Sequence, residues 1–257
     1  MNDERRATLE GIRRGLRALR AEGLDWIGPR PPAQPAPAAA APRPASGFRP
    51  RVAALELPAP EQLGERARTR AELLLAIRAD LGECTRCGLC DTRSSIVFGE
   101  GNPEARVVFV GEGPGEEEDR SGRPFVGRAG ELLTKIIASV GWRREDVYIC
   151  NIVKCRPPGN RDPRLEEVAL CQPFLERQLR AIEPLAIVTL GRPATSTLLG
   201  RAVSITRVRG QWLEWSGFPV MPTFHPAYLL RNYTRETRQA VWDDLKAVRA
   251  RVDAAAR

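Results

Sequence analysis

The stretch ARVVFVGEGPGEEEDRSGRPFVGRAGELL, residues 105 to 133, decides the fold of this chain. Residues 105–113 form a short apolar run rich in valine that ends in glycine, a pattern typical of a buried strand. A glycine-rich loop follows, and residues 128–142 then have the spacing of a helix. A strand, a glycine-rich loop and a helix in this order predict one unit of a parallel sheet that is covered by helices.

The same alternation of strands and helices continues along the chain. Further strands are predicted at 146–155, 185–191 and 219–224, the last reached through a hairpin, and further helices at 61–84, 164–182, 192–200 and 235–252. We therefore predict an α/β fold, a three-layer α/β/α domain with a central, mainly parallel four-stranded sheet. In such sheets ligands bind beyond the C-terminal ends of the strands.

The sequence before the folded domain has a different composition. Residues 1–26 predict an amphipathic helix, with apolar residues at helical spacing among arginines. Residues 27–61 are rich in proline and alanine and predict a disordered linker. Residues 62–257 are then the folded domain. A basic amphipathic helix could dock onto a protein partner or DNA, but the pattern alone favours a weakly ordered appendage.

Arginine dominates the charge of the chain. The formal net charge is +8, and arginines outnumber lysines 37 to 3. Guanidinium groups bind phosphates in a bidentate manner, so this balance favours a polyanionic partner, although a high-GC genome explains the arginines equally well. The sequence has no run of 18 apolar residues and no signal-peptide pattern at its N-terminus, so we expect a cytoplasmic protein without a membrane span.

Six cysteines in a cytoplasmic protein are more typical of metal binding or catalysis than of disulfides. Cys84 and Cys87 are separated by two residues, and Cys155 and Cys171 follow far downstream. Four thiolates suit either a [4Fe–4S] cluster or zinc, and their spacing does not decide between the two.

The glycine-rich loop is a weak candidate for a dinucleotide site. GEGPGE departs from G-x-G-x-x-G at its last position, where Glu116 stands, and a pyrophosphate would face the acidic residues 116–119. We expect these acidic residues to point away from phosphates, as solvated charges or as anions at a helix end.

Three segments read together carry a specific resemblance. GEGPGEEEDRSGRPFVGRAGELL (111–133), NIVKCRPPGNR (151–161) and FHPAYLLR (224–231) occur in this order, together with the cysteines. They resemble family 4 uracil-DNA glycosylases, the iron–sulfur branch of the uracil-DNA glycosylase superfamily. The similarity runs from about Cys84 to about Asp244. It implies a monofunctional enzyme of base excision repair that hydrolyses the N-glycosidic bond of deoxyuridine in DNA, releases uracil and leaves an abasic site.

The resemblance also implies the metal centre. It selects a [4Fe–4S] cluster, held by Cys84, Cys87, Cys155 and Cys171. Cys90 is then a bystander, and Cys150, within a predicted strand, is a core residue, as free cysteines often are. The cluster is expected to be structural, because hydrolysis of a glycosidic bond needs no electron.

Two polar residues are implied to contact the base. By resemblance, Asn151 hydrogen-bonds the O4 and N3–H edge of uracil, and His225 donates to O2 as negative charge builds on the leaving base. His225 is the only histidine in the chain. Without the resemblance, Asn at a strand end is more often a turn cap, and a lone histidine near an apolar run is more often structural.

The remaining candidates surround the base and the sugar. Phe125 is expected to stack on the flipped base, and Glu112 to position the attacking water or to balance the sugar cation. The loop glycines would let the backbone close around uracil, and two basic residues would contact phosphate. The glycines are Gly111, Gly113 and Gly115, and the basic residues are Lys154 and Arg231. In the best-known branch of the superfamily an aspartate holds the water, at the position of Gly113.

Two functions without turnover compete with this interpretation. A sister group captures uracil-DNA covalently through a histidine on an additional basic loop, but this chain has one histidine, already placed in HPA. The other alternative is an iron–sulfur DNA-binding accessory subunit. As an enzyme, the chain is expected to be a monomer that acts on single- or double-stranded uracil-containing DNA. The helix of residues 1–26 is a candidate for docking onto a protein partner, although its pattern alone favours a weakly ordered appendage.

Overall fold

The computed structural model describes residues 69–255. The predicted helix at 1–26 and linker at 27–61 lie outside the described residues. The helices are α1 (Arg70–Leu81), α2 (Glu116–Ser121), α3 (Arg128–Ser139), α4 (Leu165–Ile182), α5 (Gly191–Leu198), α6 (Ile205–Val208), α7 (Pro226–Arg231) and α8 (Arg235–Ala254). The strands are β1 (Glu100–Gly101), β2 (Val107–Gly111), β3 (Tyr148–Asn151), β4 (Ala186–Leu190), β5 (Leu213–Trp215) and β6 (Phe218–Thr223).

The six strands form one sheet in the order β1-β3-β2-β4-β6-β5. The four inner strands are parallel to one another, and β1 and β5 pair antiparallel at the two edges. The predicted mainly parallel α/β architecture is confirmed, but the predicted number of four strands is wrong. β1 has only two residues and shows no periodicity that predicts a strand. β5 pairs antiparallel with β6, as the predicted hairpin requires, but the predicted number did not count it as a strand of the sheet.

Apolar runs explain why the inner strands lie at the centre. Every residue of β2, β3 and β4 is buried, as expected for parallel strands covered on both faces. One core packs α1 and α4 against the sheet, and the other packs α3 and α8 against it. Each fully buried valine, leucine or isoleucine contributes about 1.5–3 kcal/mol. The predicted three layers are therefore present.

The parallel strands all end at the same edge of the sheet. Gly111 is the register partner of Asn151, and Leu190 is the partner of Thr223. The loops that follow these four residues therefore meet, and most of the predicted site residues stand in or next to them. None of the helices within residues 69–255 is long and apolar enough to span a membrane.

Candidate active site

A cavity of about 710 Å³ opens at the C-terminal ends of the parallel strands. Its walls come from the loops after β2, β3, β4 and β6 and from the start of α7. It brings together most of the residues singled out in the sequence, namely Glu112, Gly113, Gly115, Phe125, Asn151, His225 and Arg231. Two of the predicted residues, Gly111 and Lys154, are not part of its wall.

Gly111 lies behind the cavity wall, where its lack of a side chain lets Phe125 and Asn151 approach each other. A Cβ atom at this position would lie 2.6 Å from Phe125 Cζ and would collide with Asn151 Oδ1. Neither neighbour can yield, because Asn151 is 1% exposed and Phe125 is 6% exposed. Glycine at 111 is therefore needed to hold these two side chains together, rather than to contact a ligand itself.

Two buried oxygen atoms in the wall have no hydrogen-bond partner. They are Asn151 Oδ1 and Glu112 Oε1, and no other buried side-chain nitrogen or oxygen within residues 69–255 is unpaired. A buried polar group without a partner costs about 1–3 kcal/mol. Both unpaired atoms belong to residues that line the same cavity. This arrangement suits a polar ligand that would supply the missing partners.

Glu112, the first residue after β2, has an unusual acidity. Burial raises the pKa of its carboxyl from an ordinary 4.5 to about 7; the negative charge of Asp162 adds to this effect, and Arg192 opposes it. Protonated and ionised forms are then both populated near neutral pH. A carboxyl group with such a pKa is suited to accept a proton from water.

His225 is held as a neutral imidazole. Its Nδ1 accepts a hydrogen bond from the backbone N–H of Ala227 at 3.1 Å, as the N-cap of α7. Burial lowers the pKa of His225 to about 4; Arg231 lowers it further, and Glu118 opposes the shift. Because Nδ1 is an acceptor and the ring is neutral, the proton is on Nε2. The neutral donor expected at this position is therefore available.

Phe125 also lines the cavity, in a strained backbone conformation. Its ring centroid lies 5.7 Å from that of His225. Its φ of +51° is in the left-handed region, which costs a non-glycine residue about 1–2 kcal/mol. Gly130 packs so closely against the Phe125 carbonyl that a Cβ atom there would collide with it. Strained residues of this kind cluster at functional sites.

The position of Lys154 differs from the one predicted from the sequence. It was expected to contact phosphate, but its side chain is fully buried. Its Nζ donates to the Asn151 carbonyl oxygen at 2.7 Å and to Gln178 Oε1 at 2.6 Å. The chain turns into the core after β3 and meets α4 there, so the ammonium group cannot reach DNA. Lys154 instead supports the main chain of Asn151 from behind.

The acidic residues after Gly115 form α2 and are only partly solvated. Glu116 and Glu117 are exposed, as expected. Asp119 is 3% exposed and accepts hydrogen bonds from the backbone of Ser94 and Ser95. Glu118 lies at the cavity wall and accepts three backbone hydrogen bonds. The sequence motifs did not predict this role. The signal for it was the spacing of Glu118 three residues after the helix N-cap, which is typical of a capping box.

The cysteines converge at a second place. Of the six, four line one small cavity next to the loop after β3, namely Cys84, Cys87, Cys155 and Cys171. Cys90 is not part of this wall, and Cys150 is fully buried in the sheet. No group of three or more His, Cys, Asp or Glu side chains in the described part of the chain forms a site for a metal ion.

Hydrogen-bond donors surround the sulfur atoms of this second cavity. Arg86 Nη1 lies 3.4 Å from Cys84 Sγ, and Arg93 Nη1 lies 3.4 Å from Cys155 Sγ. The backbone N–H of Lys154 donates to Cys171 Sγ at 3.3 Å. Donors and positive charges favour thiolates, the form in which cysteine binds metals, but burial has the larger effect and raises the pKa of Cys87, Cys155 and Cys171. The four sulfur atoms and the donors around them therefore suit a metal-bound group whose own positive charge would stabilise the thiolates.

Comparisons with known proteins agree with this geometry. Residues 98–246 match the family described as the Uracil DNA glycosylase superfamily. The chain is 53% identical over 184 residues to a type-4 uracil-DNA glycosylase of Thermotoga maritima, a match that covers 71% of this chain and 96% of the relative. It is 44% identical over 182 residues to a type-4 uracil-DNA glycosylase of Sulfurisphaera tokodaii, with 67% and 82% covered. The chain therefore belongs to the uracil-DNA glycosylase superfamily and, within it, to the type-4 group.

Proposed function

We propose that this protein is a monofunctional uracil-DNA glycosylase that hydrolyses the N-glycosidic bond of deoxyuridine in DNA. The observation that carries the proposal is the pair of unpaired buried oxygens in one cavity, which a neutral histidine donor also lines. Uracil N3–H would supply the missing donor for Asn151 Oδ1, and the attacking water would supply the one for Glu112 Oε1. The names of the relatives at 53% and 44% identity support the same activity.

The cavity wall suits a single base that has left the DNA stack. A glycosylase must flip its target nucleotide into a pocket, because the reacting atoms are inaccessible within a duplex. Asn151 would accept from uracil N3–H through Oδ1 and donate to O4 through its amide. Phe125 would stack on the face of the base. Three arginines at the rim, Arg161, Arg192 and Arg231, would meet the phosphates beside the flipped nucleotide.

The chemistry follows from where charge develops. As the C1′–N1 bond breaks, its electron pair passes to uracil and positive charge appears on the sugar. The Nε2–H of His225 would donate to uracil O2, which stabilises the leaving anion. Ionised Glu112 would hold a water molecule beside C1′ and accept its proton as the new C1′–O bond forms. The products are free uracil and an abasic site.

Water is the proposed nucleophile because the wall offers no amine. A lyase reaction needs a lysine that forms a Schiff base. The described residues that line the cavity include no lysine, and Lys154 lies in the core with its Nζ bound to Asn151 and Gln178. A monofunctional reaction is therefore the one that this wall supports.

A uracil-containing oligonucleotide tests the proposal directly. The purified protein should release free uracil, and the strand should break only after treatment with alkali. A matched oligonucleotide with thymine in place of uracil is the control. DNA binding without uracil release would instead favour an accessory subunit, and strand breakage without alkali would indicate a lyase.

We also propose that the four converging cysteines hold a [4Fe–4S] cluster. Four thiolates are the usual ligands of such clusters, and the donors around the sulfurs are of the kind that tunes them. The cluster would tie the segment after α1 to the loop after β3, which begins beside Asn151. Its role here is structural.

Replacing cluster ligands should remove the colour of the protein. Anaerobically purified protein should absorb broadly near 400 nm, as expected for a protein-bound [4Fe–4S] cluster. Serine at Cys84, Cys87, Cys155 or Cys171 should abolish this absorbance and lower the melting temperature. Cys90→Ser is the matched control and should change neither. Stoichiometric zinc in a colourless, active protein would contradict the assignment.

The rate of uracil release should rise with pH through about 7. Glu112 must be ionised to accept a proton, and burial raises its pKa to about 7. The single-turnover rate should therefore rise about tenfold per pH unit below pH 7 and level off above it. Glu112→Gln should be slow and independent of pH in this range. A wild-type rate that does not vary between pH 5.5 and 8 would exclude Glu112 as the base.

The raised pKa of Glu112 also predicts that the stability of the folded protein falls as pH rises, whereas the rate of uracil release rises. A carboxyl group whose pKa is higher in the folded than in the unfolded protein makes the free energy of unfolding fall as pH rises between the two values. For Glu112 this window is from about 4.5 to about 7. The Glu112→Gln variant should lose less stability across it than the wild type.

A further inference from the structure

Glu118 joins two loops of the active-site wall through its carboxylate. Its Oε1 accepts hydrogen bonds from the backbone N–H groups of Val126 at 2.8 Å and Gly127 at 2.9 Å. Its Oε2 accepts from the backbone N–H of Gly115 at 3.1 Å. Gly115 belongs to the loop after β2, and the other two residues directly follow Phe125. One side chain therefore ties together both sides of the loop that carries the stacking ring.

The carboxylate also lies at two helix N-termini. Gly115 is the N-cap of α2, and Gly127 is the N-cap of the twelve-residue helix α3. Backbone N–H groups at a helix start have no acceptor within the helix, and they favour a negative charge. An ionised carboxylate fits this position better than a neutral amide, because both of its oxygens accept. In glutamine, one oxygen would be replaced by a donor that faces another donor.

The residue held next to these bonds is the strained Phe125. Its left-handed backbone is unfavourable for a bulky side chain and persists only where the surroundings enforce it. Close packing of Gly130 against its carbonyl is one constraint. The two hydrogen bonds from Val126 and Gly127 to Glu118 are the other, since they fix the peptide groups directly after Phe125.

We infer that Glu118 is a positioning residue that holds Phe125 in the geometry needed to stack on the flipped base. The inference rests on the proposed uracil excision, and it assigns no chemical step to Glu118. Its carboxylate accepts three backbone hydrogen bonds. Its effect on the reaction passes through the ring of Phe125, 5.7 Å from the ring of His225.

A double-mutant cycle with Phe125 separates this role from a general loss of structure. In the full-length protein, Glu118→Gln should lower the single-turnover rate on uracil-containing DNA by about 10- to 100-fold, the range for loss of a charge-assisted hydrogen bond. In a Phe125→Leu background the same change should lower the rate less than about twofold. Equal losses in both backgrounds would overturn the inference. Glu117→Gln, one residue away and exposed, is the matched control and should leave the rate unchanged.

Hydrogen exchange provides a readout that does not depend on activity. In Glu118→Gln the amides of Val126 and Gly127 should exchange at least about tenfold faster, while the amides of β2 and β3 keep their wild-type protection. Unchanged exchange at these two amides would show that Glu118 does not hold the loop, and would overturn the inference. If the wild type released no uracil, the proposed function would fail, whereas the exchange experiment would still decide whether Glu118 holds the loop.

Discussion

Asn151→Asp should lower the single-turnover rate of uracil release by about 10²–10⁴-fold. The change removes the amide donor to uracil O4 and places a carboxylate beside a base that is gaining negative charge. Asn151 is 1% exposed, so bulk water has little access to the amide group that is lost. The measurement is release of uracil from a uracil-containing oligonucleotide with enzyme in excess.

The Asn151→Asp variant should also differ from the wild type in which base it releases. Cytosine presents a donor at N4 and an acceptor at N3, the reverse of uracil, so wild-type Asn151 faces two mismatched polar pairs. Each costs about 1–3 kcal/mol. The aspartate can accept from N4, and trace release of cytosine is expected from Asn151→Asp only. Asn151→Ala is the control and should lose uracil release without gaining cytosine release. Near-wild-type uracil release by Asn151→Asp would remove this residue from the site.

His225→Ala should slow uracil release by about 10²–10³-fold while binding of uracil-containing DNA changes little. A fixed donor aimed at developing charge typically has an effect of this size on the rate. The imidazole is neutral above its pKa of about 4, so the effect should be constant from pH 6 to 9. Single-turnover rates and binding by a non-cleavable analogue measure the two quantities separately.

The N-cap role of His225 requires a second variant. Its Nδ1 accepts from the Ala227 amide, and loss of an N-cap costs about 1 kcal/mol. His225→Ser restores a cap acceptor without restoring a donor that reaches the base. It should recover stability and remain as slow as His225→Ala. If the serine variant recovered the rate, or if DNA affinity collapsed while the rate survived, His225 would be a structural or binding residue.

The order of strands and helices followed from local pattern. β2 (VVFVG) and β4 (AIVTL) were predictable because every residue in them is buried, so each strand appears in the sequence as a continuous apolar run. β5 was predicted only as part of the hairpin that leads into β6. β1 was not predicted, because two residues show no periodicity and their pairing is decided by a partner far away in the chain. Glu100, for example, pairs with Ile149.

The sequence by itself determined which residues would meet at one edge of the sheet. Parallel strands end on the same side of the sheet, so the residues at the ends of β2, β3 and β6 had to converge. The sequence motifs contain three of these residues, Glu112, Asn151 and His225. The resemblance to family 4 uracil-DNA glycosylases selected four of the six cysteines, and those four line one cavity.

Only the tertiary structure decided the environment of each group. Lys154 and Arg231 look alike in sequence, yet Lys154 is fully buried against Gln178 and Arg231 lies at the cavity rim. Glu118 and Glu117 are neighbours in an acidic run, but one binds three backbone amides and the other is exposed. Burial, pKa and hydrogen bonding depend on atoms brought close from distant parts of the chain. The local sequence pattern predicts whether a residue faces the core or the solvent. It does not predict which groups from distant parts of the chain contact that residue.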